Sequence, residues 1–426
     1  MESCSCGRQF SSTAALNQHQ RDKNNHVPGT NVRICHPAPN YSFRELWIWD
    51  NVLDSRAIHC IDRTAVRPSD TSVSSASGSE LVCSYNWRTG HDARVYIPAG
   101  FAAIWQDVPL PMILPKDKLA YFVDQNAERI PEFPFEPLFR ATATMNQSFR
   151  FDNIDVLVNR NSLRKLLDFC AGRRQGSFRF NLHLIHRTLI IERCEKNARE
   201  LVMGSQNSGW GRNFERLCTK YPPGLEDSAS HHRALRYQLG ELACVVRFEV
   251  DACYGASSEA AGGPDSLTSA MNQLSVSDHT VDNTAAIESP RRRAPMAQAT
   301  AAEIKTASKR RSLGAYLPQV WFGRTPWLIV GCHTNESFEE LKITNVEAQF
   351  VDWESRHQTE LRMLVAVLAQ LQKSVKENGG KHCVAVYERS MVSPVIRVFP
   401  SIIAKKAIPD DLRCRLWDSE VADPSI

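Results

Sequence analysis

The chain has 426 residues, a net charge of +4 and 42% hydrophobic residues, enough for a large core and two or three domains. The charge is too mild to imply a nucleic-acid partner by itself. No apolar run approaches the roughly 18 residues of a membrane span, and the polar stretch from Met1 to Asn25 excludes a secretory signal there. Thirteen scattered cysteines, an odd number without framework spacing, point to a reducing compartment with most thiols as small core residues.

In chain order, residues 1–26 form a small unit. Cys4-x-Cys6, twelve residues, His19 and then His26 resemble a Cys-Cys-His-His zinc finger, with Phe10 and Leu16 at its two core positions. Thiolates and imidazoles suit tetrahedral Zn2+, which replaces the missing core of so small a unit. The spacings depart from the pattern: one residue separates the cysteines and six separate the histidines. By the resemblance the base-reading positions are Ser12, Ala15 and Gln18, poor readers beside Arg or Asn. One finger covers about 3 base pairs, so a docking module for RNA or protein is expected rather than a sequence-specific regulator.

Residues 27–40 read as a Pro- and Gly-containing linker, and residues 41–410 as the main domain, starting with core candidates Trp47, Ile48 and Trp49. Residues 67–80 are a Ser-rich loop. Leu81–Trp87 and Ala93–Ile97 alternate as strands. Residues 98–145, rich in Pro and aromatics, read as an ordered wrap without regular elements. Asn161–Ala171 has helical spacing and a stop at Gly172. Ser177–Leu184 and Thr188–Arg193 pair as strands, Asn213–Lys220 is helical, and His231-His232 lies in a polar loop. Residues 255–300 read as a disordered insertion. Ala302–Thr306, Val320–Trp321 and Trp327–Val330 are strand-like, Glu354–Glu377 is the clearest helix, residues 382–399 form a hairpin, and 411–426 is a tail.

The chemistry gathers on Val245–Ala252, a β-branched and aromatic run carrying Glu249 and Asp251. On a strand, side chains two apart share a face about 7 Å apart. Two like charges on an apolar strand are costly unless a cation sits between them, and the simplest is a divalent metal. Glu303 and Lys305 repeat that geometry in A-E-I-K-T, setting a metal-binding oxygen beside an ammonium. Arg160 opens R-N-S-L-R-K-L-L, and Gly211 and Glu215 lie in G-R-N-F-E. Metal-held water with a cation to balance phosphate charge is the minimum kit for phosphodiester hydrolysis.

These four windows, in order, resemble the decapping exoribonuclease (DXO-type) family of the PD-(D/E)xK nuclease superfamily: an early Arg, a Gly-x-x-Phe-Glu segment, an E-h-D strand and an E-h-K strand, h being apolar. Gln319, in P-Q-V-W-F-G-R-T-P-W-L-I-V-G, matches that family's downstream Gln. The resemblance implies an α+β fold with a mixed central β-sheet and flanking helices. It also implies removal of defective or unconventional caps from RNA 5′ ends, with 5′–3′ trimming. By the same resemblance Glu215, Glu249, Asp251 and Glu303 bind two Mg2+ or Mn2+ ions, Lys305 orients the water, and Arg160 and Gln319 contact substrate phosphates. The long insertion departs from the family, and Glu340-Leu341-Lys342 is a second tripeptide that fits E-h-K; the order of Gln319 favours Glu303. Two other readings stand beside it: an idle scaffold of the same fold that binds RNA or a nuclease partner, and a zinc-finger DNA-binding regulator. Basic clusters at Arg291–Arg293 and Lys309–Arg311 fit RNA backbone or nuclear import, so a nuclear location is favoured over a cytoplasmic one.

Overall fold

Along the buried strands, successive side chains feed two different cores. Val156 and Val158 point into one and Leu157 into the other; Leu189 and Ile191 are opposed by Ile190, and Cys244 and Val246 by Val245. This period-2 alternation, apolar on both faces, requires a sheet covered on both sides. The computed structural model describes residues 45–417 except 54–55, 91–92, 98–100, 203–208, 256–285, 289–294, 310, 390 and 392–393, and also residues 2–3 and 9–10. The chain divides into two units, Met1–Ala38 and Pro39–Ile426. In the first, Glu2–Ser3 pairs antiparallel with Gln9–Phe10. The expected zinc ligands Cys4, Cys6, His19 and His26 and the linker at 27–40 lie outside the described residues.

In the second unit the elements that carry the site are, in chain order, β1 (Val156–Asn159), α1 (Arg160–Cys170), α2 (Gly211–Cys218), β2 (Ser228–Leu239), β3 (Leu242–Val250), β4 (Ala301–Ala307), α3 (Leu317–Phe322), β5 (Trp327–Thr334), β6 (Ser337–Asn345) and α4 (Gln358–Glu377). The large sheet has eleven strands in the order Ala286–Glu288, Arg94–Tyr96, Glu80–Arg88, β2, β3, β1, Thr188–Cys194, Phe178–Ile185, Cys383–Tyr387, Val395–Pro400, His59–Asp62. It is mixed: β1 runs parallel to both of its neighbours, while β2 and β3 form an antiparallel hairpin. α1 and α4 cover one face; Glu136–Met145 and Asp410–Leu416 cover the other. A second sheet of seven strands includes β4, β5 and β6, with β4 parallel to β5 and β5 antiparallel to β6. No helix among the described residues is long and apolar enough to cross a membrane.

Several expected elements differ. The Pro-rich wrap contains a helix, Glu136–Met145, whose Pro137 occupies the first turn, where a missing N–H costs nothing. Val320–Trp321 belongs to helix α3 rather than a strand. The long helix is broken at His357 into Phe350–Arg356 and α4. The tail begins as a helix, and Leu412, Leu416 and Trp417 are buried, Trp417 stacking on Phe151 with ring centroids 4.9 Å apart. At the end of the supposed insertion, Ala286–Glu288 pairs with Arg94–Tyr96, and Arg233 donates to the Met296 carbonyl at 2.7 Å. His231 and His232 lie in β2 and are buried. His231 Nδ1 is 2.6 Å from Asn86 Oδ1, and His232 stacks on Tyr85; burial holds both imidazoles neutral, well below their usual pKa.

Candidate active site

Two parallel strands end at the same edge of the large sheet. Val158 pairs with Val246 and Asn159 with Arg247, so the residues that follow, Arg160 on one chain segment and Glu249 and Asp251 on the other, emerge side by side. Ligands gather at carboxyl ends of parallel strands for this reason. α1 starts at once with Arg160; the Asn159 side chain before it accepts from the buried Arg247 guanidinium at 2.8 Å and offers no cap to the helix. The Arg160 guanidinium lies over the Phe248 ring, 5.4 Å from its centroid.

β3 stops at Val250, two residues short of the expected run, and the chain crosses at Asp251 into the second sheet. There Ala252 pairs with Ala302 and Cys253 with Ala301. That register puts Asp251 beside Glu303, and Asp251 Oδ2 accepts from the Ile304 backbone N–H at 2.8 Å. Glu303 is only 2% exposed. It accepts from Arg160 Nη1 at 2.9 Å, from Lys305 Nζ and from Gln319 Nε2. Lys305 Nζ also lies 3.8 Å from Asp251 Oδ2.

Glu215 arrives from α2. Its neighbour Phe214 is fully buried, stacks on Phe338 at 4.9 Å and lies so close to Gly331 that a Cβ there would sit 2.5 Å from the ring. Only glycine lets α2 approach β5 this closely. The first turn of α2 is capped from a distant loop: Asp117 accepts from the Arg212 and Asn213 backbone N–H groups at 3.2 and 2.9 Å.

The charges respond to one another. Burial raises the Glu215 pKa well above the usual carboxylate value, and the Asp251 and Glu249 charges add to it. Burial raises Asp251 to about 7, with the Glu303 charge next in weight. Glu249 touches open solvent, yet protein crowds the rest of its side chain, and that desolvation raises its pKa against the pull of Arg212 and Arg160. Burial alone would raise Glu303, but Arg160 and Lys305 outweigh it and hold this acid ionised. Lys305 is likewise kept charged by Glu303 and Asp251 against its burial. The Tyr221 phenol is raised by burial and then by Glu249, Glu215 and Asp251, which places it within reach of the same field.

Thus Arg160, Glu215, Glu249, Asp251, Glu303, Lys305 and Gln319 come together. The second E-h-K tripeptide does not join them: Glu340 and Lys342 face solvent on β6, 46% and 42% exposed, paired with each other at 3.4 Å. Sequence reading missed Arg164, Arg212, Asp117 and Tyr221. Arg164 lies one helical turn after Arg160 and was open to discovery by its i+4 spacing; Asp117 and Tyr221 come from loops with no local signal. Oxygen donors whose pKa values rise when left without a cation have the chemistry of a hard divalent-ion site. As they stand, no three His, Cys, Asp or Glu side chains among the described residues are grouped to hold a metal ion, and Glu303 accepts from three N–H donors.

No curated protein matches the chain in sequence. Solved structures do match in fold. S. pombe Rai1 is 13% identical, with a TM-score of 0.52 over 80% of this chain and 99% of its own. Candida albicans Rai1 in complex with pU5 and Mn2+ is 13% identical, with a TM-score of 0.51 over 81% of this chain and 94% of its own. Scheffersomyces stipitis Rai1 in complex with 3′-NADP+ and calcium is 10% identical, with a TM-score of 0.51 over 85% of this chain and 98% of its own. A family described as a domain of unknown function, DUF8563, matches residues 55–417, and the chain belongs to it, built on the fold seen in the Rai1 structures.

Proposed function

We propose that this chain is a divalent-metal-dependent hydrolase acting on RNA 5′ ends, removing defective or unconventional caps and trimming nucleotides 5′ to 3′. One observation carries the reading: Glu215, Glu249, Asp251 and Glu303, from three separate parts of the fold, share one electrostatic field with Lys305. Like charges massed at such a density are costly in a fold unless a cation or the chemistry of the site calls for them. The likeness to a Rai1 bound to pU5 and Mn2+ supports the choice of substrate and ion.

Glu215, Glu249, Asp251 and Glu303 would hold Mg2+ or Mn2+, which supplies a water of lowered pKa and offsets charge on the phosphate. The remaining work falls to this chain's own groups. Hydrolysis joins the water oxygen to phosphorus and breaks the bond from phosphorus to the leaving oxygen. Lys305, between Glu303 and Asp251, orients that water and balances the developing negative charge. Arg160 and Gln319 present N–H donors to the phosphate oxygens. Asp251, its pKa raised to about 7 by burial and then by the Glu303 charge, would give up its proton on binding the cation, so ion binding strengthens as pH rises toward and past that value.

The test is release of a 5′ cap from RNA in Mn2+ by the full chain and by Glu249→Ala. Activity in the first, and its loss from a folded second, is expected; equal activity in both overturns the reading. The engagement of Glu303 by Arg160, Lys305 and Gln319 favours one other reading, a catalytically idle scaffold that binds RNA or a nuclease partner. Calorimetry with Mn2+ separates the two, since an idle copy keeps no tight ion site.

A further inference from the structure

Arg164 is the charge in this neighbourhood that no other role absorbs. It lies four residues after Arg160 on α1, half-buried, and its burial and then Arg160's charge depress its pKa. Like charges at i and i+4 repel, and cations at a helix N-terminus oppose the helix dipole. Arg160 is compensated by direct contact with Glu303, but Arg164 is set against a neutral amide: its Nη1 donates to Gln319 Oε1 at 2.8 Å. Asp168, the next carboxylate to act on Arg164, is already paired with Arg173 at 2.9 Å. The other N–H groups of Arg164 have no hydrogen-bond partner among the described residues, and none of them is buried. A guanidinium stays charged and presents a planar fork of donors, so this pair is built to receive an anion with more than one phosphoryl oxygen.

We propose that Arg164 is a second phosphate contact: Arg160 holds the phosphoryl group that is cleaved and Arg164 grips the adjoining one, the two forming a guanidinium clamp, while Arg164 holds the Gln319 amide with Nε2 toward Glu303. The inference rests on the hydrolase reading for the identity of the reacting phosphate. The shared chemistry is two phosphoryl groups in succession, supplied either by a 5′ pyrophosphate linkage or by the next phosphodiester of the strand.

The probes are inorganic pyrophosphate and orthophosphate, titrated calorimetrically into the full chain with Mg2+, and RNA of one sequence bearing a 5′ triphosphate or a 5′ monophosphate. Loss of a charge-assisted contact predicts that Arg164→Gln weakens pyrophosphate binding about tenfold and orthophosphate binding less than about twofold. Arg164→Lys, which keeps the charge without the fork, restores part of the difference. In turnover, KM rises more than kcat falls. A rise confined to triphosphate RNA assigns the contact to the pyrophosphate linkage, and an equal rise on both RNAs assigns it to the strand. Unchanged pyrophosphate affinity in a folded Arg164→Gln, or an equal loss for both inorganic probes, overturns the proposal; if Arg164→Gln does not fold, full wild-type discrimination by Arg164→Lys does so. A wild-type chain that binds pyrophosphate through Arg164 but cleaves no RNA refutes the hydrolase reading and leaves the clamp standing.

Discussion

Replacing Asp251 by Asn should make the metal-free protein more stable and inactive at once. The side chain is 15% exposed, accepts from the Ile304 N–H at 2.8 Å and faces Glu303, Glu249 and Lys305. Burial and then the Glu303 charge raise its pKa from 3.8 to about 7. The fold therefore binds this proton more tightly than the unfolded chain does. Its contribution is most favourable below about pH 4 and is lost as pH climbs through about 7. A rise from 3.8 to about 7 corresponds to about 4 kcal/mol of penalty on the ionised fold. Asn keeps the acceptor for Ile304 but leaves an amide N–H to satisfy and removes a partner of Lys305, a cost of about 1–3 kcal/mol. A net gain of about 1–3 kcal/mol remains. Urea denaturation without divalent ions should show Asp251→Asn above wild type at about pH 8, with the gap narrowing toward about pH 5. Added Mn2+ should stabilise wild type and leave the variant unmoved. A variant that is less stable at the higher pH, or a gap that does not change with pH, refutes the view of Asp251 as a strained acid awaiting a cation.

Gly331→Ala drives a Cβ to 2.5 Å from the Phe214 ring and should cost about 1–3 kcal/mol by overpacking, read from the same denaturation curves. Because Phe214 adjoins Glu215, turnover should fall as well. Asp117→Ala removes the acceptor for two N–H groups of α2; about 1 kcal/mol of stability should go, with Mn2+ binding weakened several-fold in calorimetry. Glu303→Gln should lower Mn2+-dependent cap release by about 100-fold or more, whereas Glu340→Gln, exposed on β6, should stay within about twofold of wild type by the general tolerance of surface positions.

Much of this molecule could be read from its residues because the signals are local. The β-branched and aromatic run of β3 and the helical spacing of α1 and α4 each report the shape of a few consecutive residues. The acid motifs were legible for the same reason: E-h-D and E-h-K are spacings. Misreadings came where a tertiary contact overrode a local cue. His231 and His232 sit among polar neighbours, yet Tyr85 and Asn86 on an adjacent strand bury them. Pro137 and its neighbouring prolines masked a helix that tolerates Pro in its first turn. Residues 411–426 read as a tail, but Phe139 and Phe151 take up Trp417.

The amino-acid order alone marked the strands and helices whose periodicity is local, β3, α1 and α4 among them, and which segments carry oxygen donors and cations. Whether those donors meet was decided by the tertiary fold. Arg160 and Glu303 are 143 residues apart in the chain and 2.9 Å apart in space, and register and burial set Glu303 among those charges while Glu340 faces solvent. The physical reason is that backbone preference acts over a few residues, whereas the field at a buried carboxylate is set by whatever charges the packed sheets and helices bring beside it.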